Sequence, residues 1–426
     1  WAVIRNNIAE VLYAGIELTN ATNSTVQYNT ISARVTNNAG QQTDPGDSGV
    51  GIEIATRDQA GIGVTSGNTL VDSNVITGVL FERAGINLLS RAYAGTSNAV
   101  LENVTVSNNT VSGSTGRGGI VVVAEERNSA TNASFTNLAI NSNTLTGNTT
   151  GLSIGILGAP YDNATGVDGS YGITAITGNT FTTNTDYHLR DIAEALSGQK
   201  VYEIFTDTDV AAGFAGTGNT FDTSTVVTNG AGVVQSTTSL VIRPTIQQSI
   251  DDASAGDTVE VAAGTYNETV TINKNNLTLT GEPGATGATS NDAGPGSSAP
   301  VLDGTGLGNT SAIFLGAVSN VTIAGFEIAN YANGAPGPGG TGGVGSGIQP
   351  FDVATNNITV RDNYFHDLGW NGVLVASDNG TLQNDWAVIR NNIAEVLYAG
   401  IELTNATNST VQYNTISARV TNNAGQ

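Results

Sequence analysis

Short alternations of apolar and polar residues run through the chain, and two signatures punctuate them. In the first, an apolar residue is followed by two variable positions, Asn, one variable position and a second apolar residue. It reads Ile4-Arg-Asn-Asn7-Ile-Ala9, Val26-Gln-Tyr-Asn29-Thr-Ile31, Val71-Asp-Ser-Asn74-Val-Ile76, Val106-Ser-Asn-Asn109-Thr-Val111, Ile140-Asn-Ser-Asn143-Thr-Leu145 and Ile176-Thr-Gly-Asn179-Thr-Phe181. Weaker copies place Asn219 before Phe221 and Asn363 before Phe365, and Phe326 takes the Asn position in Ile323-Ala-Gly-Phe-Glu-Ile328. In the second signature Gly leads an apolar-any-apolar triplet: Gly15-Ile-Glu-Leu18, Gly51-Ile-Glu-Ile54, Gly85-Ile-Asn-Leu88, Gly119-Ile-Val-Val122, Gly151-Leu-Ser-Ile154 and Gly372-Val-Leu-Val375. Period-two alternation over so few residues predicts short strands with one buried face.

Successive Asn anchors lie 22 residues apart at the closest (Asn7 to Asn29) and 45 at the widest (Asn29 to Asn74). A coil of three short strands and three turns fits the shorter spacing, and the surplus goes to loops. The spacing lacks a strict hexapeptide period. The predicted fold is therefore all-β, a right-handed single-stranded parallel β-helix, in keeping with the handedness of parallel crossovers. The Asn residues are expected at bends, where they tolerate left-handed backbone angles, with their amides bonded from coil to coil as a ladder. The expected ladder is Asn7, Asn29, Asn74, Asn109, Asn143, Asn179, Asn219, Asn363, Asn392 and Asn414. Gly at the head of a strand is expected to permit a tight bend.

Around residue 240 the pattern changes. Ile246, Ile250 and Ala253 fall at helical spacing and Gly256 stops the run. Strand-like Thr258-Val-Glu-Val261, Gly264 to Ile272 and Leu277-Thr-Leu-Thr-Gly281 follow. A short helix covering an exposed coil end suits an edge that would otherwise invite aggregation. The stretch TIQQSIDDASAGDTVEVAAGTYNETVTINKNNLTLTGE resembles the opening of right-handed β-helix proteins, including NosD-like and PbH1-repeat surface proteins, pectin methylesterases and pectate-lyase-like folds. The resemblance implies a fold with a capping helix much more strongly than an activity. The QDTL-, DFIFG- and LGRPW-type motifs of pectin methylesterases are missing, as are the Gly-His-Gly and Arg-Ile-Lys elements of polygalacturonase-like hydrolases.

Residues 1–41 and 386–426 are identical at all 41 positions, at an offset of 385. Folding alone does not require such identity, because cores accept many apolar exchanges. The expectation is a window slightly longer than one period of a tandem array. Residues 1–238 are then the rear of one unit, with its final coils and connector, and residues 239–426 are the front of the next, with its capping helix and first coils.

Composition narrows the function. The net charge is −22 with 14 basic residues, which disfavours nucleic acid, whose phosphates demand Lys and Arg. Cys is absent, so there is no disulfide framework, thiolate zinc site or cysteine nucleophile. No apolar run is long enough to form a membrane-spanning helix. An acidic, Cys-free chain fits an extracellular or cell-surface setting, where carboxylates keep a large body soluble.

Candidate chemistry is sparse. Arg361, Asp362, Tyr364, His366, Asp367 and Trp370 form the best polar cluster; alternation puts Asp362, Tyr364 and His366 on one strand face, as a sugar-binding or acid–base patch or simply a polar outer surface. Asp44 with Asp47, and Asp207 with Asp209, are weak candidates for a hard cation such as Ca²⁺; the favoured reading of each is a solvated turn. There are 15 Asn-X-Ser/Thr acceptors: Asn20, Asn23, Asn103, Asn108, Asn132, Asn148, Asn163, Asn267, Asn276, Asn309, Asn320, Asn357, Asn379, Asn405 and Asn408. With 47 Asn and 87 Ser plus Thr in 426 residues, about 10 arise by chance. No catalytic set or resident cofactor is assigned. The expected function is structural: a repeat unit of an extracellular filament or giant surface fibre, partnering itself head to tail, with loops such as Ser32–Ser48 and Tyr331–Ser346 on its outside. The alternatives are a polysaccharide-binding adhesin module and, behind it, a polysaccharide lyase or hydrolase with paired carboxylates.

Overall fold

A computed structural model of the chain describes residues 2–11, 14–33, 49–58, 62–78, 84–93, 98–126, 133–155, 169–191, 218–228, 240–281, 299–332, 344–376 and 380–418. The fold is all-β. Nearly all its strands are short and parallel, and the described residues form two compact units.

In the first unit, successive strands visit three sheets in rotation. Thr25–Gln27, Val64–Asp72, Ala99–Ser107, Ala133–Asn141 and Ser170–Thr177 stack in one sheet. Thr30–Ala33, Val75–Thr77, Thr110–Ser112, Thr144–Thr146 and Thr180–Thr182 stack in the second. Ala14–Thr19, Val50–Arg57, Ala84–Ala92, Ile120–Glu126, Thr150–Ile154 and Tyr187–Asp191 stack in the third. Parallel pairing in register aligns like positions of successive coils into apolar columns. One column runs Val26, Val71, Val106, Ile140, Ile176. A second runs Ile31, Ile76, Val111, Leu145, Phe181, and a third Ile16, Ile52, Ile86, Ile120, Leu152, Leu189. The column residues are buried, so the alternation seen in the sequence is the in–out alternation of each strand. The antiparallel strand Leu240–Ile242 closes the third sheet beside Tyr187–Asp191.

The second unit takes in the strand Thr225–Thr228, antiparallel to Thr258–Val261, and the helix Ile246–Asp252, the one helix among the described residues. Ile246 and Ile250 are buried against the first coil. The coil's turns hold both helix ends. Thr245 caps the first turn, and the Glu268 carboxylate accepts from the Ile246 and Gln247 amides at 2.8 and 3.0 Å. At the other end the Lys274 ammonium donates to the Asp251 and Ala253 carbonyls. An anion at the amino end and a cation at the carboxyl end satisfy the freed backbone groups and complement the helix dipole. Above the helix the apolar columns run Val259, Leu279, Ile323, Val360, Val388, Val411 and Tyr266, Leu302, Ile328, Phe365, Ile393, Ile416.

Two expectations about the bends are corrected. The left-handed residue is not the ladder Asn but the one before it: Tyr28, Ser73, Asn108, Ser142, Gly178, Gly218 and Asp362 all have φ between 54° and 71°. That residue turns the chain, which leaves the Asn free to point its amide inward. The Gly residues heading the third-sheet strands have ordinary φ; they are needed for close approach instead. A Cβ on Gly51 would lie 2.5 Å from the Gly85 carbonyl oxygen, and one on Gly85 would lie 2.2 Å from Val111 Cγ1.

Candidate functional site

The Asn ladder is the most extended polar feature of the first unit. Each Nδ2 donates to the Oδ1 of the Asn one coil on: Asn7 to Asn29, Asn29 to Asn74, Asn74 to Asn109, Asn109 to Asn143, Asn143 to Asn179 and Asn179 to Asn219, at 2.9–3.0 Å. Each Oδ1 also accepts the backbone N–H of the preceding Asn, and each remaining Nδ2 hydrogen reaches strand carbonyls. A buried polar row is thus paired at every step, as burial requires. A shorter second ladder, Ser114 to Asn148 to Asn184, ends on His188 Nδ1; it was not foreseen, because its members lie outside the six-residue motif.

In the second unit the ladder contains Asn363, Asn391 and Asn414, with the Phe326 amide donating to Asn363 Oδ1. Asn392 was expected here. It instead lies in strand Asn392–Val396 beside Tyr364 and Thr415, half-buried, and the buried neighbour Asn391 takes the ladder position. The cause is register. In residues 1–33 Val3 pairs with Thr25 and Asn7 is in the ladder, whereas in the identical residues 386–418 Ala387 pairs with Thr410, one position earlier. A one-residue shift exchanges the faces of a strand. Ile8 is accordingly 89% exposed, while its counterpart Ile393 is 0% exposed. A bulge before Val396, with Glu395 at φ 55°, restores the common register, so that Val396 pairs with Ala418 as Val11 does with Ala33.

The polar cluster foreseen around His366 divides. Tyr364 and His366 do share the outer face of strand Tyr364–His366, their rings stacked at 4.6 Å. Asp362 does not join them. It sits at the left-handed corner, held by Arg390 Nε and Nη2 at 2.7 and 2.8 Å and by Arg361 Nη1 at 2.7 Å. Burial opposes its charge, but these two guanidinium partners outweigh it and keep the carboxyl below its usual range. Two carboxylates grip His366: Asp367 Oδ2 at 2.8 Å from Nδ1 and Glu327 Oε1 at 3.0 Å from Nε2. Burial disfavours the imidazolium, yet both partners raise its pKa above the ordinary histidine value. Glu327 was missed; aligning Phe326 with Asn363 would have placed Glu327 beside Tyr364 and exposed the neighbourhood. With both ring nitrogens engaged, the imidazolium joins neighbouring coils on an acidic face.

Trp370 leaves the cluster as well and stacks on Tyr398 of the next coil at 4.3 Å between ring centroids, 4° from parallel. Phe314 and Phe351 form a second stack at 4.3 Å. Among the described residues no three His, Asp or Glu side chains converge as a metal site. Asp44, Asp47, Asp207 and Asp209 lie outside the described residues, as do acceptors Asn132, Asn163 and Asn379. Asn148 is buried within the second ladder, which removes it as a glycosylation candidate. Asn103, Asn276, Asn320 and Asn357 are exposed left-handed corner residues, each followed by an inward apolar residue and an outward Thr. Their side chains also bond between coils, as in Asn320 Nδ2 to Asn276 Oδ1 at 2.7 Å. Corner geometry therefore writes Asn-apolar-Thr into the sequence by itself, which accounts for part of the excess of acceptors. Asn20, Asn23, Asn108, Asn267, Asn309, Asn405 and Asn408 are at least partly accessible.

No family model matches the chain, and no curated protein matches it.

Proposed function

We propose that this chain is the repeating module of an extracellular filament or giant cell-surface fibre, wound as a right-handed parallel β-helix and joined head to tail to further copies of itself. The observation that carries the reading is the pair of identical 41-residue segments: one underlies the first unit's stack, and the other ends the second unit's. A coil that occurs once at each end of a 385-residue period is what a continuous stack needs at the joint. The working principle is mechanical. Buried amide ladders and apolar columns resist bending, and the acidic exterior keeps neighbouring bodies apart. The joint is heterologous, so repetition gives an open fibre where its rotation does not close into a ring, and never an isologous dimer.

The test is the denatured mass of native material together with electron microscopy of the cell surface that bears it. Masses at multiples of the 385-residue period, or rods built from smaller chains, support the reading. Isolated particles of a single chain, with neither rods nor multiples, overturn it.

A polysaccharide-binding module is the second reading, favoured by the Trp370–Tyr398 stack, because Tyr398 is largely exposed and flat aromatic faces suit sugar rings. Glycan-array binding abolished by Tyr398→Ala would move it ahead.

A further inference from the structure

The stretch that leads from the first unit to the second does not cross once. Strand Thr220–Phe221 pairs with Thr180–Thr182 and belongs to the first unit. The next strand, Thr225–Thr228, belongs to the second unit and runs antiparallel to Thr258–Val261. The chain then returns. Leu240–Ile242 belongs to the first unit, antiparallel to Tyr187–Asp191, and only after it does helix Ile246–Asp252 enter the second. Each strand is held by more than its ladder. The Ser224 N–H donates to Tyr266 Oη at 3.0 Å, and the Ser224 carbonyl accepts from Tyr266 Oη at 2.9 Å and from the Ala262 N–H at 3.0 Å. Thr225 Oγ1 donates to the Thr245 carbonyl at 3.0 Å, and Val227 packs on the core of the second unit. In the first unit Ile242 is buried, and the Arg243 guanidinium lies 3.8 Å from the Tyr187 ring centroid and donates to the Asp186 carbonyl at 3.1 Å. Asp222 is anchored there too, its N–H donating to the Phe181 carbonyl and its Oδ2 accepting from the Thr183 N–H.

We infer that residues 222–245 form a double clasp, in which each unit offers an edge to a strand that the chain delivers from the other. Thr258–Val261 takes Thr225–Thr228, and Tyr187–Asp191 takes Leu240–Ile242. Each added strand also covers a sheet edge that would otherwise invite foreign pairing. The mechanical consequence follows from chain length. Only Thr223 and Ser224 separate the anchored Asp222 from strand Thr225–Thr228, and only Arg243 and Pro244 separate Ile242 from the helix cap Thr245. Neither crossing can lengthen while both strands are held. Freeing one strand leaves the other crossing short, so the two resist separation side by side. Release of both frees residues 223–244, about 75 Å of extended chain. In a fibre the clasp recurs once per period and is a joint that holds until two strands open together. That role rests on the fibre reading; the clasp itself does not.

A reciprocal exchange of strands predicts something that a plain linker does not. A protease recognition sequence substituted within residues 229–239 lets the 426-residue chain be cut between the two strands. The leading fragment then carries Thr225–Thr228, held by the second unit, and the trailing fragment carries Leu240–Ile242, held by the first. The nicked chain is expected to elute from a sizing column at the mass of the whole chain and to separate only in denaturant. Val226→Pro takes a donor from one ladder, and Ile242→Asp puts a carboxylate at a buried position of the other strand. Each alone is expected to raise the dissociation constant of the fragments about tenfold or more, and together they are expected to part them, with circular dichroism reporting that the coils stay folded. Nicked, unsubstituted fragments that part without denaturant would overturn the clasp. So would a nicked double variant that holds as firmly as the unsubstituted chain. The fibre reading is judged separately, on native mass and microscopy: it survives fragments that part, and its own failure leaves the clasp in place without a load to bear.

Discussion

Asn143 is the position at which the ladder argument is most exposed to measurement. Its Oδ1 accepts the Asn109 backbone N–H at 3.0 Å and Asn109 Nδ2 at 2.9 Å, and its Nδ2 donates to the Val106 and Asn141 carbonyls and to Asn179 Oδ1 at 3.0–3.1 Å. Asn143→Ala leaves the buried Asn109 N–H without an acceptor, at about 1–3 kcal/mol, and opens a small void worth about another 1 kcal/mol. The expected loss is therefore about 2–4 kcal/mol. Asn143→Asp should be worse despite its matching shape, since a carboxylate cannot donate and would face three acceptor oxygens in a buried site. Asn7→Ala is the control, because Asn7 lies at an exposed edge and only donates there, to Asn29 Oδ1 and the Arg5 carbonyl, so the loss should stay below about 1 kcal/mol. Urea unfolding followed by circular dichroism gives the global cost, and hydrogen exchange at the Asn109 amide gives the local one. If Asn143→Ala cost no more than Asn7→Ala, or left the Asn109 amide equally protected, the ladder would be a consequence of stacking and not a support for it.

His366 makes stability depend on pH. Its folded pKa is raised, so its contribution is fully present below the unfolded value of about 6.5 and is lost as pH rises through the folded value; melting temperature should fall across that window, and His366→Gln should flatten the fall. Asp362, lowered by Arg390 and Arg361, acts in the opposite sense, its contribution being lost as pH falls through its folded pKa. Gly85→Ala should cost about 1–3 kcal/mol in thermal unfolding, because the added methyl meets Val111 and the Gly119 carbonyl and not because of any backbone angle. Glu395→Gly should stabilise its coil by about 1 kcal/mol by relieving a left-handed residue. The identical change at Glu10, which lies in a regular strand, should cost about 0.5–1 kcal/mol, and local hydrogen exchange in each coil separates the two. Glycopeptide mapping of native material should find Asn148 unmodified.

The periodic signals carried the fold because each has one physical cause. Inward apolar pairs flanking an Asn, and a Gly where two backbones nearly touch, recur wherever a coil closes. The helix Ile246–Asp252 was legible from the spacing of Ile246 and Ile250. The site was less legible. Asp367 follows His366 in sequence, but Glu327 reaches it from the neighbouring coil, and only the register of stacking, set by loops of unequal length, brings Glu327 near. Asp362 defeated simple alternation because a left-handed corner interrupts the period-two count just before Asn363. The roles of the ladder Asn and of the corner residue before it were merged for the same reason: two adjacent residues divide between them what the motif suggested one would do.

The Asn392 correction has a deeper basis than a miscounted position. Asn6-Asn7 and Asn391-Asn392 are the same doublet, and it supplies an amide to the ladder in either register, so the ladder alone leaves the choice open. The apolar columns make the choice. In the second unit Val360 and Phe365 lie below the coil, and pairing with them draws in Val388 and Ile393, at the cost of a bulge at Glu395. In the first unit strands Val3–Arg5 and Ile8–Val11 are sheet edges with their only described strand neighbour above; there the regular pairing without a bulge prevails, and Ile8 faces out. In the second unit the coil thus follows the register of the coil beneath it. A sequence placed at a joint between units must therefore be compatible with the neighbour on each side, a constraint that bears on every position of the coil and gives a physical reason for the two copies to be kept alike.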